Sequence, residues 1–84
     1  MVSQPNSKNI PYIVRLLKNN RINLGVSQVY IAEKLGVNKS LVGFWETGRT
    51  QPTLLHVEKY AEALGAYITL SFDWSELNEE TPLR

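Results

Sequence analysis

The chain predicts a mainly helical domain of four to five helices followed by one β-strand. Three observations carry that expectation. Stretches between residues 9 and 65 repeat apolar side chains at helical spacing, most of them opened by a capping residue and closed near a glycine. Residues 28–47, QVYIAEKLGVNKSLVGFWET, read as a short helix, a tight turn and a second short helix. Residues 66–74, AYITLSFDW, alternate apolar and polar side chains with the period of two that a strand requires.

In chain order, residues 1–8 are polar and contain Pro5, and are read as a flexible arm. The first helix is expected to start near Asn9 as cap, with Pro11 in its first turn, where no intrahelical donor is lost. Its apolar stripe is Ile10, Ile13, Leu16 and Leu17, and it is expected to finish near Asn23. Gly25 then allows a reversal. Ser27 caps a second helix, Gln28 to Leu35, whose inward face is Ile31, Ala32 and Leu35. Ala32 is small, which lets the next helix cross at close range. Gly36 stops this helix, and Val37 plugs the angle between it and the next.

Asn38 caps a third helix, about Lys39 to Glu46, which Gly48 ends. Val42 and Trp45 face the core together, so Lys39, Ser40, Gly43 and Phe44 face outward. Thr53 caps a fourth helix to about Leu64, with Leu54, Val57, Tyr60, Ala61 and Leu64 as its buried face. The helical domain therefore spans 9–65. In the strand, Ala66, Ile68, Leu70, Phe72 and Trp74 share one face. A lone strand leaves its backbone donors and acceptors unpaired, and no second strand is apparent in the sequence. The same strand of a second copy, paired about a two-fold axis, is the simplest partner. Residues 75–84 are read as a loose acidic tail.

Composition narrows the function classes. A chain of 84 residues makes one domain the default. It buries only roughly 60–65% of its unfolded surface, so oligomerisation would add stability. There is no cysteine and a single histidine, His56. Disulfides and thiolate metal sites are excluded, and neither a metal nor a cofactor is expected. No nucleophile, base and acid form a set, so an enzyme is not expected. No apolar run approaches the roughly 18 residues of a membrane span, and MVSQPNSKN lacks the regions of a signal peptide. A cytoplasmic protein with no membrane partner is expected. The net charge of +1 hides an asymmetry: residues 1–49 carry seven basic and two acidic side chains, a net +5, and residues 50–84 carry two basic and six acidic, a net −4. A basic half suits a polyanion.

The run RINLGVSQVYIAEKLGVNKSLVGFWETGRTQPTLLHVEKYAEALG, residues 21–65, resembles the helix-turn-helix domain of the Xre/Cro/C1 family, the lambda- and 434-repressor-like fold. Arg21 stands seven before Gln28, Ala32 and Gly36 take the family's small positions, and Glu46-Thr47-Gly48-Arg49 stands where the family has E-x-G-K/R. The resemblance implies binding to double-stranded DNA. It implies that Lys39, Ser40 and Phe44, with their neighbours Leu41 and Gly43, meet base edges. It implies that Gln28, Thr47 and Arg49 contact phosphate, and that Arg21 and Glu46 form a structural ion pair. Asn38, opening the third helix, is placed with the phosphate contacts because exposed N–H groups at helix starts attract phosphate oxygens.

Some residues depart from the family pattern. Phe44 stands where a polar side chain is usual. It has two readings, a thymine-methyl contact or a partial core residue. Leu41 and Gly43 add no hydrogen bonds, so sequence preference is expected to rest on Lys39, Ser40 and DNA shape. Val29 and Tyr30 replace charged residues. A strand after the fourth helix is similar to HipB-type antitoxins, whose dimers share a small intermolecular sheet. Two functions follow: a regulator, acting as a homodimeric repressor on a palindromic operator, or an antitoxin that binds a toxin partner and represses its own operon. His56 is read as a solvated side chain with no chemistry, and Tyr67 as dimer packing.

Overall fold

Four helices order the described part of the chain in the computed structural model, which describes residues 10–69 and 71: α1 Tyr12–Asn23, α2 Gln28–Leu35, α3 Lys39–Thr47 and α4 Leu54–Ala63. Their core is Leu17 of α1, Ile31 and Ala32 of α2, Val42 and Trp45 of α3, and Val57, Tyr60 and Ala61 of α4. α2 packs most extensively, against α3 and then α4. Ile31 and Val42 are completely buried.

Side-chain caps start three of the helices. The hydroxyl of Ser27 accepts from the Tyr30 N–H at 3.0 Å, Asn38 Oδ1 from the Ser40 N–H at 2.9 Å, and Thr53 Oγ1 from the His56 N–H at 3.1 Å. Each relieves one of the four unpaired donors of a helix start. Gly36 and Gly48 end α2 and α3 at φ of +73° and +85°, a conformation that costs other residues about 1–2 kcal/mol. α3 runs one residue past the expected Glu46, because Gly48 is where the chain turns left-handed.

α1 differs from expectation at its start and on its face. Pro11, at φ −58° and ψ 148°, is the residue before the helix and not part of the first turn. Its carbonyl accepts from Val14 and Arg15 N–H at 3.0 and 3.2 Å, while Asn9, the expected cap, lies outside the described residues. Leu16 is 37% exposed, and Val14, at 2%, takes the inward place. The inner line is Val14, Leu17 and Arg21, spaced three and four apart. Arg21 has to face inward to reach Glu46, and that sets the rotation of the whole helix.

Leu54 is also corrected: it is 68% exposed, not part of the buried face of α4. It sits in the first turn, beside an apolar depression that Ile13, Val57 and Ile68 also line, so among the described residues no neighbour packs over that side. α4 ends at Ala63, and Leu64 is half-buried as its C-terminal cap. Residues 66–69 and 71 form neither helix nor strand, and no strand occurs among the described residues. Ile68 packs half-buried on the core while Tyr67 is exposed. Leu70, Phe72 and Trp74 of the expected strand lie outside the described residues. Among the described residues, 66–69 meet no strand edge to pair with. No helix among the described residues is long and apolar enough to cross a membrane.

Candidate nucleic-acid interface

The outward face of α3 is built from its inward one. Val42 and Trp45 anchor the helix in the core, which turns positions 39, 40, 43, 44 and 47 away from it. Lys39 and Ser40 are exposed at its N-terminus, Gly43 and Phe44 are half-buried, and Thr47 is exposed at its end. Leu41 is half-buried and packs against the core, which leaves only its outer half exposed on this face. Phe44 is not a core residue. Its ring lies under the Arg49 guanidinium, 4.8 Å from the carbon to the ring centroid. That packing shields an apolar ring and holds an exposed cation beside α3.

Several of the residues singled out in the sequence are tied up locally. Asn38 Oδ1 accepts from both the Ser40 N–H and, at 2.7 Å, the Ser40 hydroxyl. Thr47 Oγ1 donates back to the Gly43 carbonyl at 3.0 Å.

Beneath this surface lies a polar network. Arg21 donates from Nε to Glu46 Oε2 and from Nη2 to Oε1, both at 2.9 Å, and from Nη1 to the Val26 carbonyl at 2.8 Å. The two-pronged pair ties α1 to the end of α3. Gln28 Nε2 donates to Glu46 Oε1 at 3.0 Å, and the Tyr60 hydroxyl donates to Glu46 Oε2. Burial pushes the Glu46 carboxyl up, but the hydrogen bonds from Arg21, Tyr60 and Gln28 outweigh it and hold the group below its usual value. Burial, with the bond to Glu46, drives the Tyr60 hydroxyl above its ordinary range. All four helices therefore meet at one carboxylate.

Tyr60 is the member that sequence reading misses. Its helical spacing marks it as core, which it is, but a buried tyrosine hydroxyl also needs a partner, and nothing local names Glu46 as that partner. His56 is likewise not a solvated side chain. It is half-buried, its ring 5.1 Å from that of Trp45, and its Nδ1 is buried without a partner among the described residues.

Two short helices, α2 and α3, packed on each other across the turn at residues 36–38, with the polar N-terminus of α3 exposed, form a helix-turn-helix unit. Comparison with known proteins agrees. The helix-turn-helix family profile matches residues 17–70, and the chain belongs to that family, of the Xre/Cro/C1 type. The chain is 36% identical over 50 residues to an uncharacterized HTH-type transcriptional regulator of Methanothermobacter thermautotrophicus, a match spanning 60% of this chain and 72% of the relative. No solved structure matches.

Proposed function

We propose that the protein is a sequence-specific transcriptional regulator of double-stranded DNA, acting as a homodimeric repressor on a palindromic operator. The observation that carries this reading is the exposed face of α3, with Lys39 and Ser40 at its N-terminus and Arg49 just past its end, all on a half of the chain with a net charge of +5. Lys39, Ser40, Phe44 and the outer half of Leu41 meet base edges. Asn38, Thr47, Arg49 and the N–H groups opening α2 and α3 meet phosphate. Two copies joined through residues 66–74, with Ile68, Leu70, Phe72 and Trp74 at the seam, would set two such faces about 34–36 Å apart in successive major grooves. The apolar depression at Ile13, Leu54 and Ile68 supports a partner on that side of α4.

The test is a Lys39→Ala/Arg49→Ala double variant titrated against an operator selected from random duplex DNA. The variant is expected to fold normally and bind more weakly. The slope of log affinity against log salt should become shallower by about one for each phosphate that is no longer neutralised. A folded variant with full affinity and an unchanged slope refutes the interface.

One observation favours a second reading, an antitoxin that also binds a partner toxin. Val29 and Tyr30 are 44% and 41% exposed on the outer side of α2, and Tyr30 borders a depression lined by Leu24, Val26, Ala63 and Leu64. Expressing the whole operon and purifying this chain tests it. The product of the adjacent gene should co-purify, and its absence counts against the reading.

A further inference from the structure

We propose that Gln28, from α2, reads a base edge in the place of the side chain that α3 lacks at Gly43, with adenine as the base it prefers. The inference rests on the DNA-regulator reading above and assigns Gln28 a role different from phosphate contact.

The argument begins at Glu46. Its Oε1 accepts from Arg21 Nη2 and Gln28 Nε2, and its Oε2 accepts from Arg21 Nε and the Tyr60 hydroxyl. An ionised carboxylate only accepts, so the amide nitrogen of Gln28 has to face it and the amide oxygen has to face away. The carboxylate is held ionised by the same bonds that fill it. The sense of the Gln28 amide is thereby fixed before any ligand arrives.

Gly43 decides where that amide lies. A Cβ built on Gly43 would stand 3.6 Å from Gln28 Oε1 and 3.9 Å from Nε2. The Gln28 amide therefore covers the Cα of Gly43. Gly43 follows Lys39 by four residues, so both lie on the same row of α3. A side chain from α2 fills the gap in the outward surface of the recognition helix.

The groups presented suit a base better than a phosphate. Gln28 keeps an acceptor, Oε1, and the second N–H of Nε2 uncommitted to Glu46. A phosphate offers acceptors only, so it can pair with that N–H but makes no use of Oε1. The major-groove edge of adenine offers a donor at N6 beside an acceptor at N7, the pairing that glutamine makes. Arg21 and Tyr60 act as positioning residues, since each holds the carboxylate that orients Gln28.

The experiment is selection of binding sites from random duplex DNA with the wild-type chain, Gln28→Met and Gly43→Ala, each first checked for folding by circular dichroism and thermal melting. Methionine keeps the length of the side chain and removes its amide. The wild-type pool is expected to show an adenine at one position of each half-site. In the Gln28→Met pool that position should lose its preference, by about 5- to 150-fold in relative affinity for adenine, the span of one good base contact. The other positions should keep theirs. A Gln28→Met pool with the wild-type consensus, and weaker binding to all sequences by one common factor, overturns the proposal in favour of a phosphate contact. Should Gln28→Met fail to fold, Gly43→Ala decides. Its added methyl would stand 3.6 Å from Gln28 Oε1 and so screen the acceptor that the base needs, and it should weaken preference at that same position. A Gly43→Ala pool identical to wild type then overturns the proposal. A wild-type pool with no enriched sequence overturns the regulator reading itself, and this inference with it.

Discussion

Glu46 shows how much of this molecule turns on one side chain. It is 2% exposed and accepts four hydrogen bonds from three other helices. A buried carboxylate is costly unless fully paired, and removing one partner of such a pair costs about 3–5 kcal/mol. Its depressed pKa links that pairing to pH. The unfolded carboxyl titrates near 4.3. The stabilisation is therefore fully present above about pH 4.3 and is lost as pH falls from there through the lower folded value. Urea melts from pH 7 down to pH 3 should show this loss in the wild-type chain. Glu46→Gln should be less stable at neutral pH and should have a smaller acid-dependent decline. A Glu46→Gln variant whose pH profile parallels that of wild type would remove Glu46 as the source. Tyr60 has the opposite sense. Its raised pKa stabilises below about pH 10, the ordinary value, and the contribution fades as pH rises above it.

At the scale of single elements, the ends of α2 and α3 and the start of α4 were legible, the start of α1 was not, and helix faces were less so. Ser27, Asn38 and Thr53 cap α2, α3 and α4, and Gly36 and Gly48 terminate α2 and α3, because capping and left-handed φ are decided within a few residues. Asn38 opens the helix whose N-terminus is the candidate DNA face. Asn38→Ala should cost about 1 kcal/mol in urea denaturation, because Oδ1 no longer meets the Ser40 N–H. It should also weaken DNA binding, as the first turn of α3 frays. Unchanged stability would show that solvent replaces the cap fully. Faces follow a different logic. Hydrophobic spacing in α1 pointed to Leu16, but a charged residue, Arg21, sets the rotation through a partner 25 positions away. Leu54 has the right spacing for burial and the wrong place, since the first turn of α4 reaches past the packed core.

The whole molecule poses the question of a second copy. Leu54, Leu55, Tyr12 and Tyr67 are all more than half exposed, a large apolar load for a chain of 84 residues. Pairing through residues 66–74 would give the strand pattern a partner edge. The dimer is tested by Leu70→Pro, which removes a ladder donor. Sedimentation should show a monomer or an unfolded chain, and the concentration dependence of the melting temperature expected of the wild-type dimer should vanish. A folded dimer of unchanged mass would refute strand pairing.

Local order in this chain explains four helices, the caps of three of them, the stops of α2 and α3, and membership of a helix-turn-helix family, since each depends on residues within a turn or two or on a fixed run of spacings. The candidate interface was named from that run, with Lys39, Ser40 and Arg49 found exposed on it. Packing supplied the rest. It closed Arg21, Gln28 and Tyr60 around one carboxylate, set Phe44 under Arg49, laid Gln28 across Gly43 and stacked His56 on Trp45. Most of these pairings join different helices, and the geometry that brings their polar atoms within about 3 Å is a property of how helices cross, which no periodicity along the sequence records.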